Sequence, residues 1–209
     1  MALPATHLRF AEAVARRYAI VDPGAYFSGT LYPDSRWVTG LKREQTHGDR
    51  FLEPGFVGDD FTLGWQVHLI CDRLQLRLHR PLLGDLAALD PEARWIVSTA
   101  SKVVQDMRDA ALGRLADTLP RITHAAAPNG EDPAGVEAYL GYVRRAYGRH
   151  STPGREDYVR LWKAVGLDRE TIGRIAVQTD RILADPAWTD RIQAVFEQMV
   201  ALSSAGDLR

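Results

Sequence analysis

Apolar positions recur every three to four residues along most of the chain, the spacing of amphipathic helices. From Thr6 to Tyr18, the residues Leu8, Ala11, Val14, Ala15 and Tyr18 fall on one side, with Thr6 placed to cap the start. Between Ile20 and Gly58 the pattern breaks. Asp22-Pro23-Gly24, Gly29, Pro33-Asp34, Gly40, Gly48 and Pro54-Gly55 are turn or breaker signals, and they predict a long irregular loop over about 20–58. Loops of that length tend to be functional or disordered, and the aromatics Tyr26, Phe27, Tyr32, Trp37, Phe51 and Phe56 favour order.

A strong helix then starts at Asp59 or Asp60 and runs to about Leu78, with Pro81 and Gly84 ending the region. Asp90-Pro91-Glu92 starts another, reaching about Leu115. Pro128-Asn129-Gly130-Glu131-Asp132-Pro133 reads as a linker. Helices follow near 134–147, 155–165, 168–184 and 187–203, with Asp168 and Asp185-Pro186 as start signals. There is no strand-like alternation and no internal repeat. The expected fold is all-α: a helical core over 1–127 and a C-terminal helical part over 128–209, packed on the same domain.

Composition narrows the function classes. The 209 residues, 45% of them hydrophobic and 25% charged, suffice for a core that excludes water from a site. A formal net charge of −1 carries no nucleic-acid signature and calls for no anionic membrane. The single cysteine, Cys71, excludes an internal disulfide and reads as a small core residue. Met1 to His7 lack the basic and apolar regions of a secretory signal, and no stretch has the length of a membrane span, so the expected location is cytoplasmic.

The candidate chemistry lies in the helix after Asp59. His68, Asp72, Gln75 and His79 share one narrow stripe. Trp65, Leu69 and Leu76 flank it on one side, and Leu63, Val67, Leu74 and Leu78 on the other; Arg73 and Arg77 form a separate, wetter face. A stripe between two apolar flanks is expected to be buried, and a buried imidazole or carboxylate needs a partner or a metal. A hydrogen-bonded core His–Asp pair would satisfy that need. So would an ion, because His and Asp one turn apart both reach one point above a helix. Asp34, His47 and His7 bring the N/O donors before residue 73 to five. Imidazole with carboxylate suits zinc, and also iron or manganese.

The order His7, Pro33-Asp34, Thr46-His47, then His68-x-x-x-Asp72 resembles the zinc-dependent phospholipase C family and the related single-strand nucleases, above all its small bacterial members. The segments Tyr26–Asp34 and Leu63–Asp72 carry the likeness, which spans roughly residues 6–76, about a third of the chain. The resemblance implies that Asp34, His47, His68 and Asp72 surround one metal, with His7 beside it and Asp72 shared with a second ion where two bind. The large members hold three zincs through a further His, a His-x-x-x-Glu helix, and an N-terminal amine and tryptophan. This sequence has no His-x-x-x-Glu; His79 falls near the place of the additional His without its partners.

If the chain is an enzyme, a metal-activated water would attack phosphorus in a small-molecule or lipid phosphoester. Asp34 would steer the water or take its proton, and Lys42 and Arg43 would hold the phosphate or simply be solvated. Lys102 and Asp106, one helical turn apart, read as lining the same cleft or as a weak surface ion pair. Trp37 and Trp65 read as pocket walls or core. His124 and His150 are expected at the surface. Trp162, Val165, Ile172, Ile175, Ile182, Val195, Phe196 and Met199 give the C-terminal half apolar faces that either cover the site or form a homodimer surface. Two rivals stand beside the hydrolase. A phosphohydrolase of the HD type needs an adjacent His-Asp pair, which is absent. A non-catalytic helical protein would use the cluster as a structural metal site or a buried polar network.

Overall fold

A computed structural model describes residues 3–84, 88–149 and 152–204. The described residues form helices and turns, with no strand among them. The centre of the fold is α5 (Asp60–Leu82), whose first turn is capped by Asp59 accepting from the Thr62 N–H at 2.8 Å. Packed on it are α1 (Pro4–Ala15), α2 (Pro23–Leu31) and α11 (Pro186–Ser204). Next to these, α6 (Pro91–Leu112) contacts α1, α11 and α10 (Arg169–Leu183). The helix α8 (Pro133–Tyr147) rests on α9 (Arg155–Ala164) and on the short α3 (Arg36–Thr39). Two further short helices are α4 (Arg43–His47) and α7 (Leu115–Thr118).

The long helices sit where periodicity and capping place them. Asp90, Asp132 and Asp168 each accept a backbone N–H at the start of α6, α8 and α10. The segment from 20 to 58 is different: it is mostly helical, with α2, α3, α4 and 3-10 turns at Tyr32–Ser35, Asp49–Leu52 and Pro54–Phe56. One of the breaker signals, Gly29, misled because it serves packing, as does Gly64 of α5. A β-carbon on Gly29 would lie 2.0 Å from the Phe61 carbonyl oxygen, and one on Gly64 would lie 2.0 Å from the Tyr26 carbonyl oxygen. The backbones of α2 and α5 therefore touch directly. With every residue from Tyr26 to Leu31 buried, α2 has no polar stripe to reveal its period.

Smaller corrections have equally local causes. Thr6 does not cap α1; the helix starts two residues earlier, with Leu3 as cap and Pro4 in the first position. Leu76 is exposed instead of flanking the buried stripe. The stretch Pro128–Pro133 is fastened to the fold, since the Asn129 amide donates to the Tyr32 hydroxyl at 2.7 Å and that hydroxyl donates to Glu131. No described helix is long and apolar enough to cross a membrane.

The Gly64→Ala variant is expected to lose at least about 3 kcal/mol of unfolding free energy or to accumulate as aggregate, since neither backbone can retreat without dislodging the other helix. Gly173→Ala, at a helical position with open space around its would-be β-carbon, should gain about 0.5–1 kcal/mol. Urea denaturation of both variants checks this; a Gly64→Ala protein as stable as wild type would contradict the close packing.

Candidate metal centre

Five side chains from four elements meet beside the α2–α5 contact. His68 and Asp72 come one turn apart from α5, His7 from α1, His47 from the end of α4, and Asp34 from the turn after α2. All five side chains are almost fully buried. His68 Nε2 lies 3.2 Å from His47 Nε2 and 3.9 Å from Asp72 Oδ2. His47 Nε2 lies 3.6 Å from Asp34 Oδ1 and 3.7 Å from Asp72 Oδ2. On the other side of Asp72, Oδ1 lies 3.5 Å from His7 Nε2. The His7 and His68 rings stack, with centroids 3.7 Å apart and planes 11° from parallel.

These imidazole–carboxylate distances are too long for hydrogen bonds, which close to about 2.7–2.9 Å when charged groups take part. They are nearer the spacing of ligand atoms around a shared ion. Bonds of about 2.0–2.1 Å around zinc set ligand atoms about 3.3 Å apart along each tetrahedral edge. The proton count points the same way. His68 Nδ1 lies 2.8 Å from the Thr30 carbonyl oxygen, which can only accept, so the proton sits on Nδ1 and Nε2 presents a lone pair. His47 Nδ1 lies 2.8 Å from the Thr46 hydroxyl; when it donates there, its Nε2 also presents a lone pair. Two such nitrogens then face each other beside two carboxylates, acceptor against acceptor. In addition, both His7 nitrogens and Asp34 Oδ1 are buried without a hydrogen-bond partner. An unmet buried group of this kind is costly, and a cation removes the cost for all of them together.

Charge agrees with geometry. Burial draws His7 and His68 below the ordinary histidine value, against the pull of Asp72 and Asp34, so both rings are neutral at neutral pH. Burial opposes ionisation of Asp34 too, but its contact with His47 outweighs that and holds its carboxyl below the usual carboxylate range. Two carboxylates set among imidazoles make a donor set that suits a divalent ion.

The supports around the donors explain their placing. Trp65 Nε1 donates to the Thr46 carbonyl oxygen at 2.7 Å and thereby pins α4. Phe51 and Phe56 pack on the same indole, with ring centroids 4.5 and 5.2 Å away. Trp65 is thus core, and it positions His47 through its neighbour. At the other edge, Asp106 of α6 accepts the Thr6 N–H at 2.7 Å and the hydroxyls of Tyr147 and Tyr158 at 2.7 and 2.8 Å, which fixes the turn of α1 that carries His7.

Two overlapping groups within the cluster have metal-binding spacing: His7, His68 and Asp72, and Asp34, His47 and His68. A single imidazole nitrogen serves one ion, so the shared His68 limits the cluster to one fully ligated ion. Asp72, with one oxygen toward His7 and the other toward His47 and His68, has the disposition of a bridge.

The other residues singled out by the sequence fall elsewhere. His79 belongs to a separate buried network: its Nδ1 lies 3.0 Å from the Ser101 hydroxyl and its Nε2 2.5 Å from Gln105 Oε1, which also accepts from Gln75 at 3.0 Å. Lys102 and Asp106 are both buried and make no ion pair with each other, contrary to a surface pair. Asp106 turns to α1 and the two tyrosines, whereas Lys102 lines a cleft that reaches Asp34. Arg43 and Trp37 line that cleft too; Lys42 is exposed and takes no part in its wall. Arg36 was not singled out by sequence; its place two residues after Asp34 was the available signal. His124 is exposed beside Asp22, at 3.3 Å, and His150 lies outside the described residues.

Burial, partly offset by the Gln105 contact, draws His79 down to about 4, against about 6.5 in an unfolded chain. Between those values the unfolded chain binds a proton that the folded chain refuses, so this residue's contribution to stability is present above pH ~6.5 and is lost as pH falls through that window. Urea midpoints measured from pH ~7 to ~4.5 should fall more steeply for wild type than for His79→Gln; parallel slopes would refute a buried neutral His79.

The chain matches no family model, no curated protein and no solved structure, so the reading of this centre rests on its own geometry.

Proposed function

We propose that this protein is a metal-dependent hydrolase of phosphoesters, zinc being the ion its donors suit best, in the manner of the zinc-dependent phospholipase C family that its sequence resembles. The observation that carries this reading is the nest of imidazole nitrogens and carboxylate oxygens, 3.2–3.9 Å apart, at the inner end of a cation-lined cleft. Asp34, His47, His68 and Asp72 would hold the ion, with His7 against the other oxygen of Asp72. A divalent ion there supplies a nucleophile at neutral pH and neutralises charge building on a phosphoryl oxygen. Asp34 is the donor that forms part of the cleft wall, which places its carboxylate to receive the proton of an attacking water. The Thr30 carbonyl and the Thr46 hydroxyl keep the two facing imidazoles oriented. Trp37 and Trp162 give the cleft an apolar wall.

A second reading has its own support. Were Asp34, His47, His68 and Asp72 all to ligate one ion, they would fill the four positions of a structural zinc site. In that case the ion would fasten α1, α4 and α5 together without catalysis.

The deciding experiment is metal content by mass spectrometry on protein purified without chelator or affinity tag, beside a His68→Ala/Asp72→Ala double variant. About one equivalent of zinc, iron or manganese is expected in wild type and none in the variant. A folded wild type that takes up no metal even after dialysis against zinc sinks the proposal. With metal established, release of product from phosphomonoesters, phosphodiesters and phospholipids separates the two readings, because the structural one predicts none.

A further inference from the structure

The cleft that ends at Asp34 has a volume of about 260 Å³. Its walls include three indoles, Trp37, Trp95 and Trp162, and three cations reach it, Arg36, Arg43 and Lys102. Lys102 is 8% exposed, yet no hydrogen bond or ion pair satisfies its ammonium among the described residues. Its stem is buried while its ammonium opens into the cleft, where, with the two guanidinium groups, it can meet an anion that enters. The guanidinium of Arg36 stacks 4.2 Å over the Trp37 ring, and its Nε is buried with no acceptor. Arg43, at the start of α4, also has no carboxylate within ion-pair distance among the described residues.

Counting charge selects the anion. Asp34 and Asp72 are matched by the proposed divalent ion, and the choice of anion rests on that reading. The three cations are left over. A phosphodiester or sulfate ester brings one negative charge and leaves two cations unmatched; a phosphomonoester brings two. Room selects in the same direction. A cleft of this size, below the usual range for drug-sized ligands, takes one compact organic group against its indoles, whereas a diester carries a second arm. We infer that the cleft is a binding site for a phosphomonoester dianion with a small flat apolar group, gripped by Lys102, Arg43 and Arg36 and stacked against the tryptophans.

Calorimetric titration of the full chain tests this at about pH 8, where a phosphomonoester is dianionic. The probes are phenyl phosphate, methyl phenyl phosphate and phenyl sulfate, each added to zinc-loaded and to chelator-treated protein. Phenyl phosphate should bind about tenfold or more tightly than either monoanion. Lys102→Met should lose about tenfold or more of that affinity in both metal states, while keeping the wild-type zinc content and melting temperature. Arg43→Gln, on the surface and harmless to folding, should show a smaller loss of the same kind, and it decides the matter alone if Lys102→Met does not fold. Equal affinity for monoester and diester, or unchanged affinity in the variants, overturns the inference. The two proposals fail separately. Zinc uptake with no Lys102-dependent phosphate binding removes this one and leaves the metal centre. Lys102-dependent binding without zinc uptake removes the metal hydrolase and leaves an anion cleft.

Discussion

The contact between α2 and α5 sets the position of the rest. Gly29 and Gly64 let two backbones approach until a single added carbon on either would collide with a carbonyl. At that separation the Thr30 carbonyl reaches His68, and the turn after α2 delivers Asp34 to the same point. A wider gap would need side chains to fill it and would carry Asp34 away from His47. One steric condition thus fixes a hydrogen bond, a ring orientation and a donor position at once.

The core also holds many buried polar side chains. Much of that polarity is satisfied internally: Asp106 takes three donors, Asp109 takes Arg9 at 2.6 Å, and Gln105 links His79 to Asp109. Among the described residues, the cluster of His7, Asp34, His47, His68 and Asp72 differs in bringing metal-ligating atoms together. The contrast matters, because both regions lie on the same stripe of α5. Toward its C-terminal end, Gln75 and His79 find amide and hydroxyl partners on α6; toward its N-terminal end, His68 and Asp72 meet other acceptors. The difference lies in what the neighbouring helices offer.

How much of this could be read from sequence follows from the same physics. Helices α5, α6, α8 and α10 were legible because each has one wet face and a capping aspartate, so period and boundaries both show. The donors His68 and Asp72 were legible as polar residues between apolar flanks. Helix α2 was hidden because it is wrapped on all sides, and its glycines looked like breaks. Lys102 and Asp106 looked like a solvated pair because their spacing says nothing of α1, α8 and α9 closing over that face of α6. Arg36 gave only its nearness to Asp34 in sequence: half-buried cations are recognised by what surrounds them, and that is tertiary information.

The donors' order along the chain also bears on how the protein is made. All five precede residue 73, whereas the groups that clamp α1 begin at Asp106 and end at Tyr158. On the ribosome, the complete donor set therefore emerges before the residues that bury it have been synthesised. First loading would take place in an open nascent site, fed by whichever ions the surroundings supply. Exchange in the finished protein would have to pass through the cleft at Asp34. Which metal the mature protein carries would then record the conditions of its synthesis as much as the preferences of its ligands.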